Sequence, residues 1–257
     1  MNRILVEKDK IKDYKDSNIE ILNDTIFFKN SGEYTIEYID CKNVTLNINV
    51  DENVMIKIFE YADSQSLNIN NIYNQNKYSN LLLFKFYNNK EVKEEITFNL
   101  NGEYSKVDYH FSNICSNLEQ YHIVINHNAS NTESLINNKS ITIEKSDLSF
   151  TIDSILPKGN KECNLDQQTR IITLDDSNAK IEPNMFIEEN DVSAKHGSVI
   201  GKFREEELFY LLARGIPEQE AIKLLIKGYI FSNLLVDLDK RAKIFNIINE
   251  KWRWKNE

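Results

Sequence analysis

Val44-Thr45-Leu46-Asn47-Ile48-Asn49-Val50 alternates apolar and polar side chains without interruption. A strand turns successive side chains to opposite faces, so this period of two buries Val44, Leu46, Ile48 and Val50 and turns Thr45, Asn47 and Asn49 outward. Short runs of the same kind return at Val54-Met55-Ile56-Lys57-Ile58, Leu81-Leu82-Leu83-Phe84-Lys85-Phe86, Ile96-Thr97-Phe98-Asn99-Leu100, Ile123-Val124-Ile125, Ile141-Thr142-Ile143 and Leu148-Ser149-Phe150-Thr151-Ile152. Asn, Asp, Ser and Lys stand between them, with no helical period. That excludes alternating β-α-β units and leaves a sandwich, a barrel or a β-solenoid. Strand starts recur at roughly ten residues, which suits sandwiches and solenoids alike, and no strict repeat decides between them. The Asn-rich turns suit left-handed solenoid corners and ordinary hairpins equally, because Asn tolerates positive φ.

The pattern changes after Phe203. Arg204-Glu205-Glu206-Glu207 sets carboxylates where a helix dipole favours them, ahead of Leu208, Phe209, Leu211 and Leu212, and Arg214-Gly215 closes that helix. Pro217, Glu218 and Glu220 open a second helix with Ala221, Leu224 and Leu225 as its apolar stripe. From Ser232 onward, Leu234, Leu235, Leu238, Ala242, Phe245, Ile248 and Trp252 define the apolar face of a third. Two domains are expected, a β body over residues 1–203 and a helical module over 204–257. Trp252-Arg253-Trp254-Lys255 reads as a closing helix that packs one indole.

Composition narrows the function classes. The 257 residues are 41% hydrophobic and 28% charged, which predicts a folded core. A net charge of -9 repels a phosphate backbone, so nucleic acid is not an expected partner. No apolar stretch reaches the ~18 residues of a membrane span and the first residues lack a signal-peptide core, so no membrane partner and a cytoplasmic location are expected. Cys41, Cys115 and Cys163 contain no C-x-x-C pair and are odd in number, which argues for free thiols.

Enzymatic motifs fail one by one. Gly197-Ser198-Val199-Ile200-Gly201-Lys202 has three residues between its glycines where a phosphate loop needs four, and Phe203 follows the lysine. His122 and His127 are five apart on one expected strand, so their rings diverge and do not chelate. No spacing brings a pair of carboxylates together as a glycosidase requires.

One long segment carries a resemblance. Asp191-Val192-Ser193-Ala194-Lys195-His196-Gly197-Ser198-Val199-Ile200-Gly201, followed by Glu205 to Ile216, resembles the signature of the SufB/SufD family of the SUF iron–sulfur system. The similarity continues through Pro183-Asn184-Met185-Phe186-Ile187 and His127-x-Ala129-x-x-Thr132-x-Ser134 upstream, and through Leu224-Leu225-Ile226 and Gly228-Tyr229 downstream. It implies a right-handed parallel β-helix with a C-terminal helical domain, and a non-catalytic scaffold subunit. It also implies two partners: a SufC-type ATPase docked on the helices, and a SufB-like chain or a second copy paired through the β-helix.

Residue by residue, the resemblance points to His196 as an iron ligand or cluster-interface group, since imidazole binds iron. Leu208, Phe209, Leu212, Ile216, Leu224 and Leu225 are expected in the ATPase contact or the packing behind it. No tightly bound cofactor is implied; an iron–sulfur cluster would be transient cargo, and ATP would be reached only through the partner. Two departures lean towards SufD: Gln168 stands where SufB carries its scaffold cysteine, and Gly197 where SufB has a glutamate. Cys163 is the candidate displaced thiol. The N-terminal helical region of longer members is expected to be absent. A carbohydrate-active β-solenoid and a SufD-like structural protein without a cluster role are the alternatives.

Overall fold

The computed structural model describes residues 2–14 and 18–253, apart from the side chains of Asp13, Trp252 and Arg253. Trp254-Lys255, and with them the expected packing of a terminal indole, lie outside the described residues. Among the described residues the chain forms a parallel β-solenoid of about six turns followed by three helices. Two hairpins come first: β1 (Asn2–Glu7) with β2 (Lys10–Tyr14), and β3 (Ile19–Leu22) with β4 (Thr25–Phe28), each antiparallel. Thereafter strands alternate between two sheets. The first sheet takes β5 (Gly32–Ile39), β7 (Met55–Asp63), β9 (Asn80–Tyr87), β11 (Lys106–Cys115), β13 (Glu133–Thr142), β15 (Cys163–Thr173) and β17 (Val192–Gly201). The second takes β6 (Asn43–Val50), β8 (Ser66–Gln75), β10 (Glu91–Leu100), β12 (Leu118–His127), β14 (Asp147–Leu156) and β16 (Asn178–Ile187).

Each coil is therefore two strands and two corners. Gly32 pairs with Ile56, 24 residues on, whereas Ile136 pairs with Gln167, 31 residues on. Strand starts from β5 onward accordingly lie 11 to 16 residues apart, wider than the roughly ten expected, and this drift in coil length leaves no fixed repeat in the sequence. One corner of successive coils is left-handed, at Asn53, Tyr78, Tyr104, Asn131 and Glu162, with φ between 56° and 62°. The N–H of Asn53, Tyr78, Asn131 and Glu162 each donates to a carbonyl of the next coil, which repays the unfavourable φ. Asn takes only two of these five places. Its commoner role is a ladder on the second sheet, where Asn74 donates to Asn49, Asn99 to Asn74 and Asn126 to Asn99 at 2.8–3.1 Å.

Inward positions of both sheets fill the interior, among them Leu46, Ile48, Phe98, Tyr109, Phe111, Ile123 and Phe150. The outer face of the first sheet is buried too. Phe59, Tyr61, Phe84, Phe86, Ile114, Ile141 and Ile172 form a second apolar cluster with Ile226, Ile230, Leu234, Ile244, Ile247 and Ile248. These come from α2 (Glu218–Phe231), α3 (Leu238–Arg253) and their connection; α1 (Glu205–Leu212) precedes them. A strand covered on both sides loses its alternation, which explains the unbroken Leu81-Leu82-Leu83-Phe84 run.

The helices begin near the expected places and turn only part of the expected faces inward. On α2 the buried residues are Ala221, Ile226 and Ile230, while Leu224 is exposed. Of the expected third face, Leu234 and Ile248 are buried, whereas Leu235, Leu238, Ala242 and Phe245 are exposed; Ile244 and Ile247, not expected there, are buried beside Ile248. The third helix starts at Leu238, so Leu234 and Leu235 belong to the connection and do not share its period. No helix among the described residues is long and apolar enough to cross a membrane.

Candidate functional site: the open end of the solenoid

The two ends of the solenoid differ. At the first, β2 and β3 fold back antiparallel and close both sheets with hairpins. At the other, β16 and β17 are parallel edge strands with no further strand beyond them among the described residues. Interior residues there are incompletely covered: Ala179, Ile181, Met185, Ile187 and Val192 are only partly buried. An unpaired edge offers a row of N–H and C=O groups to another chain. Pro183 interrupts that row on β16, because proline has no N–H to donate. Strand β17 has no proline, and all of its residues from Ser193 to Ile200 are exposed.

His196 sits in the middle of β17, in register with Gln167, which is in register with Ile136. In-register parallel partners share a face, so His196 lies on the interior side of the last coil, at the rim of the open end. Beneath it Gln167 is buried, donating to Ser154 Oγ at 2.7 Å and to the Asn184 carbonyl at 3.1 Å, with its Oε1 unpartnered. Among the described residues no three His, Cys, Asp or Glu side chains gather around one metal position. Gln168, expected from the resemblance to replace a SufB cysteine, faces outward and contacts both oxygens of Asp166 at 3.3 Å. Gly197 is its register partner.

Cys163 opens β15 on the interior side, buried with Leu156 and Leu165. Its sulfur lies 3.2 Å from Thr132 Oγ1 and 3.4 Å from the Ala129 carbonyl. Thr132 Oγ1 in turn lies 2.7 Å from His127 Nδ1, and Ser134 Oγ lies 3.0 Å from His127 Nε2. Burial pushes His127 down to about 4, so the ring is neutral and each nitrogen pairs with one hydroxyl. His122, by contrast, is on the outer face and pairs with Asp153 at 2.8 Å. The two rings do diverge, as their odd spacing requires.

On the helices, Phe209 is 71% exposed, with Tyr210, Leu212 and Leu224 also exposed beside half-buried Leu208, Ile216 and Leu225. The expected docking residues thus border an uncovered apolar surface on α1 and α2.

Sequence reading missed the polar rim of Gln167, Ser154 and Asn184. Its trace is the stretch Asn164-Leu165-Asp166-Gln167-Gln168, where a polar residue takes an inward place. It also missed Lys85, Glu60 and Glu94, which are fully enclosed in the interior.

Comparison with known proteins places this geometry. The family model described as "SUF system FeS cluster assembly, SufBD core domain" matches residues 26–229. The iron–sulfur cluster assembly protein SufD of Bacillus subtilis (strain 168) is 34% identical over 73 residues, 28% of this chain and 17% of the relative. SufB of the same organism is 34% identical over 108 residues, 40% of this chain and 23% of the relative. A SufBD family protein of Mycobacterium tuberculosis (strain ATCC 25618 / H37Rv) is 42% identical over 60 residues, 23% of this chain and 15% of the relative. The matched stretches thus span less than a quarter of these relatives' length. With most of its length matched by the family model, the chain belongs to the SufBD family of iron–sulfur cluster assembly proteins.

Proposed function

We propose that the chain is a non-catalytic, SufD-like scaffold subunit of a SUF assembly complex. In this reading strand β17 pairs with the edge of a second SufB/SufD-type solenoid, either a SufB-like chain or a second copy. His196 then stands at the seam, where a transient iron–sulfur cluster passes as cargo. A SufC-type ATPase docks on α1 and α2, through Leu208, Phe209, Leu212, Ile216, Leu224 and Leu225, and ATP acts only through it. The chain itself holds no tightly bound cofactor.

The observation that carries this reading is the asymmetry of the two ends, one closed by hairpins and the other left as an exposed edge with half-covered interior residues. Solenoids need a cap at each end, and an end without one is covered by something else. Family membership favours a partner solenoid as that cover over a saccharide chain along the groove.

The test is co-expression with a SufC-type ATPase and a SufB-like chain, followed by size exclusion with light scattering. A complex that loses the ATPase on Phe209→Asp or Leu224→Asp supports the proposal. A chain that elutes alone, with or without ATP, contradicts it.

A further inference from the structure

Lys139 and Arg170 stand side by side on the outer face of the first sheet, as register partners on β13 and β15. Tyr229 of α2 packs against both, its ring centre 5.7 Å from the lysine Nζ and 5.5 Å from the guanidinium carbon. The tyrosine hydroxyl donates to the Arg170 carbonyl at 2.6 Å, which fixes the ring there. Lys139 donates to Ser232 Oγ at 2.8 Å. Neither cation pairs with a carboxylate among the described residues.

Like charges set opposite one another on neighbouring strands repel. Burial, and then the charge of Arg170, holds the Lys139 ammonium below its ordinary range. Both cations line a groove of about 340 Å3 whose floor is the column Asn137, Gln168 and Gly197. Its far wall is Lys195, paired with Asp166 at 3.0 Å. Gly197 keeps the groove open, since nothing lies within 4 Å of the place a Cβ would occupy. Three cations therefore face one carboxylate, in a chain whose net charge is -9. An arrangement that costs stability when empty is relieved by an anion, and a guanidinium fork beside an ammonium matches the oxygens of a divalent oxyanion.

We propose that this groove binds a divalent oxyanion of the phosphoryl type between Arg170 and Lys139, with Lys195 closing the far side. The proposal does not depend on the partner solenoid or the ATPase. Two sources present this chemistry, free inorganic phosphate and the terminal phosphates of a nucleotide.

Isothermal titration of the full chain at low ionic strength, in mildly alkaline solution where phosphate is a dianion, uses inorganic phosphate and ADP as separate probes. Saturable binding is expected. Arg170→Gln with Lys139→Met weakens it about tenfold or more. Gly197→Val fills the groove and abolishes binding with an unchanged thermal midpoint, which separates loss of the site from loss of the fold. Equal affinity for the two probes identifies the oxyanion alone as the ligand; tighter ADP binding, weakened by the same variants, identifies a nucleotide. No saturable binding of either probe, or binding that the double variant leaves unchanged, overturns the proposal.

Discussion

Lys85 and Glu60 are register partners inside the solenoid, their charged groups 3.5 Å apart and both wholly shielded from solvent. Glu94 reaches the same ammonium from the opposite sheet, and Tyr73 and Tyr87 donate their hydroxyls to Glu60. One cation thus serves two carboxylates. Burial pushes the Glu94 carboxyl above the usual range, with Lys85 pulling it back. Lys85→Met leaves two carboxylates without their counter-charge and costs about 3–5 kcal/mol, read from urea unfolding. Adding Glu60→Gln and Glu94→Gln recovers much of that loss. A single variant as stable as the parent would show that the ammonium is not holding these carboxylates.

The neutral His127 ring makes stability depend on pH. Its folded value of about 4 lies below the ordinary 6.5, so the unfolded chain takes the proton first. The stabilisation is complete above the unfolded value and is lost as pH falls from about 6.5 through about 4, to a total on the order of 3 kcal/mol. Urea titrations across that window show a downward slope towards acid, and His127→Gln flattens it. A parallel slope in the variant would assign the effect to other groups.

Gly102 sets how closely two coils approach at the left-handed corner. A Cβ there would lie 2.1 Å from the Lys77 backbone nitrogen and 2.4 Å from its Cα. Backbone cannot yield as a side chain can, so Gly102→Ala costs roughly 3 kcal/mol or more. The neighbouring corners show the effect locally: Tyr78 and Tyr104 stack with centroids 5.0 Å apart, and tyrosine fluorescence reports whether that stack survives.

How much of this was legible follows from which faces are covered. Val44 to Val50 alternates because β6 has one buried face, and its reading as a strand needed nothing else. Leu81 to Phe86 hid Lys85, because helices cover the outer side of β9 and a buried lysine there looks like an outward residue of an alternating strand. The helix faces on α2 and α3 were read only in part: Ala221 and Ile248 pack as expected, but Leu224, Leu235 and Leu238 are as apolar as the residues that pack, and hydrophobicity alone does not say which leucines a sheet covers. Periodicity left sandwich and solenoid undivided, since parallel and antiparallel neighbours share the same period; the family resemblance chose the solenoid, and the strand pairing bears that out. His196 was singled out by the resemblance alone. Its place at the rim above Gln167 required the register.

The exposed and buried faces of the helical region separate binding from folding. Phe209→Asp leaves the thermal midpoint within about 2 °C of the parent, because a surface substitution rarely moves stability by more than ~0.5 kcal/mol. Ile230→Asp, placed in the cluster shared with Phe84 and Ile141, unfolds or severely destabilises the chain. Matching melting curves for the two variants would contradict the assignment of faces.

Hydrogen exchange at β17 tests the pairing edge most directly. With the chain alone, outward-pointing amides between Val192 and Gly201 exchange rapidly, because no strand lies beyond them among the described residues. In complex with a SufB-like chain, or in a homodimer at high concentration, these amides become protected, while β2 and β3 at the hairpin end keep their rates. Protection confined to the hairpin end, or a stable complex that leaves β17 exchanging as before, would contradict the account.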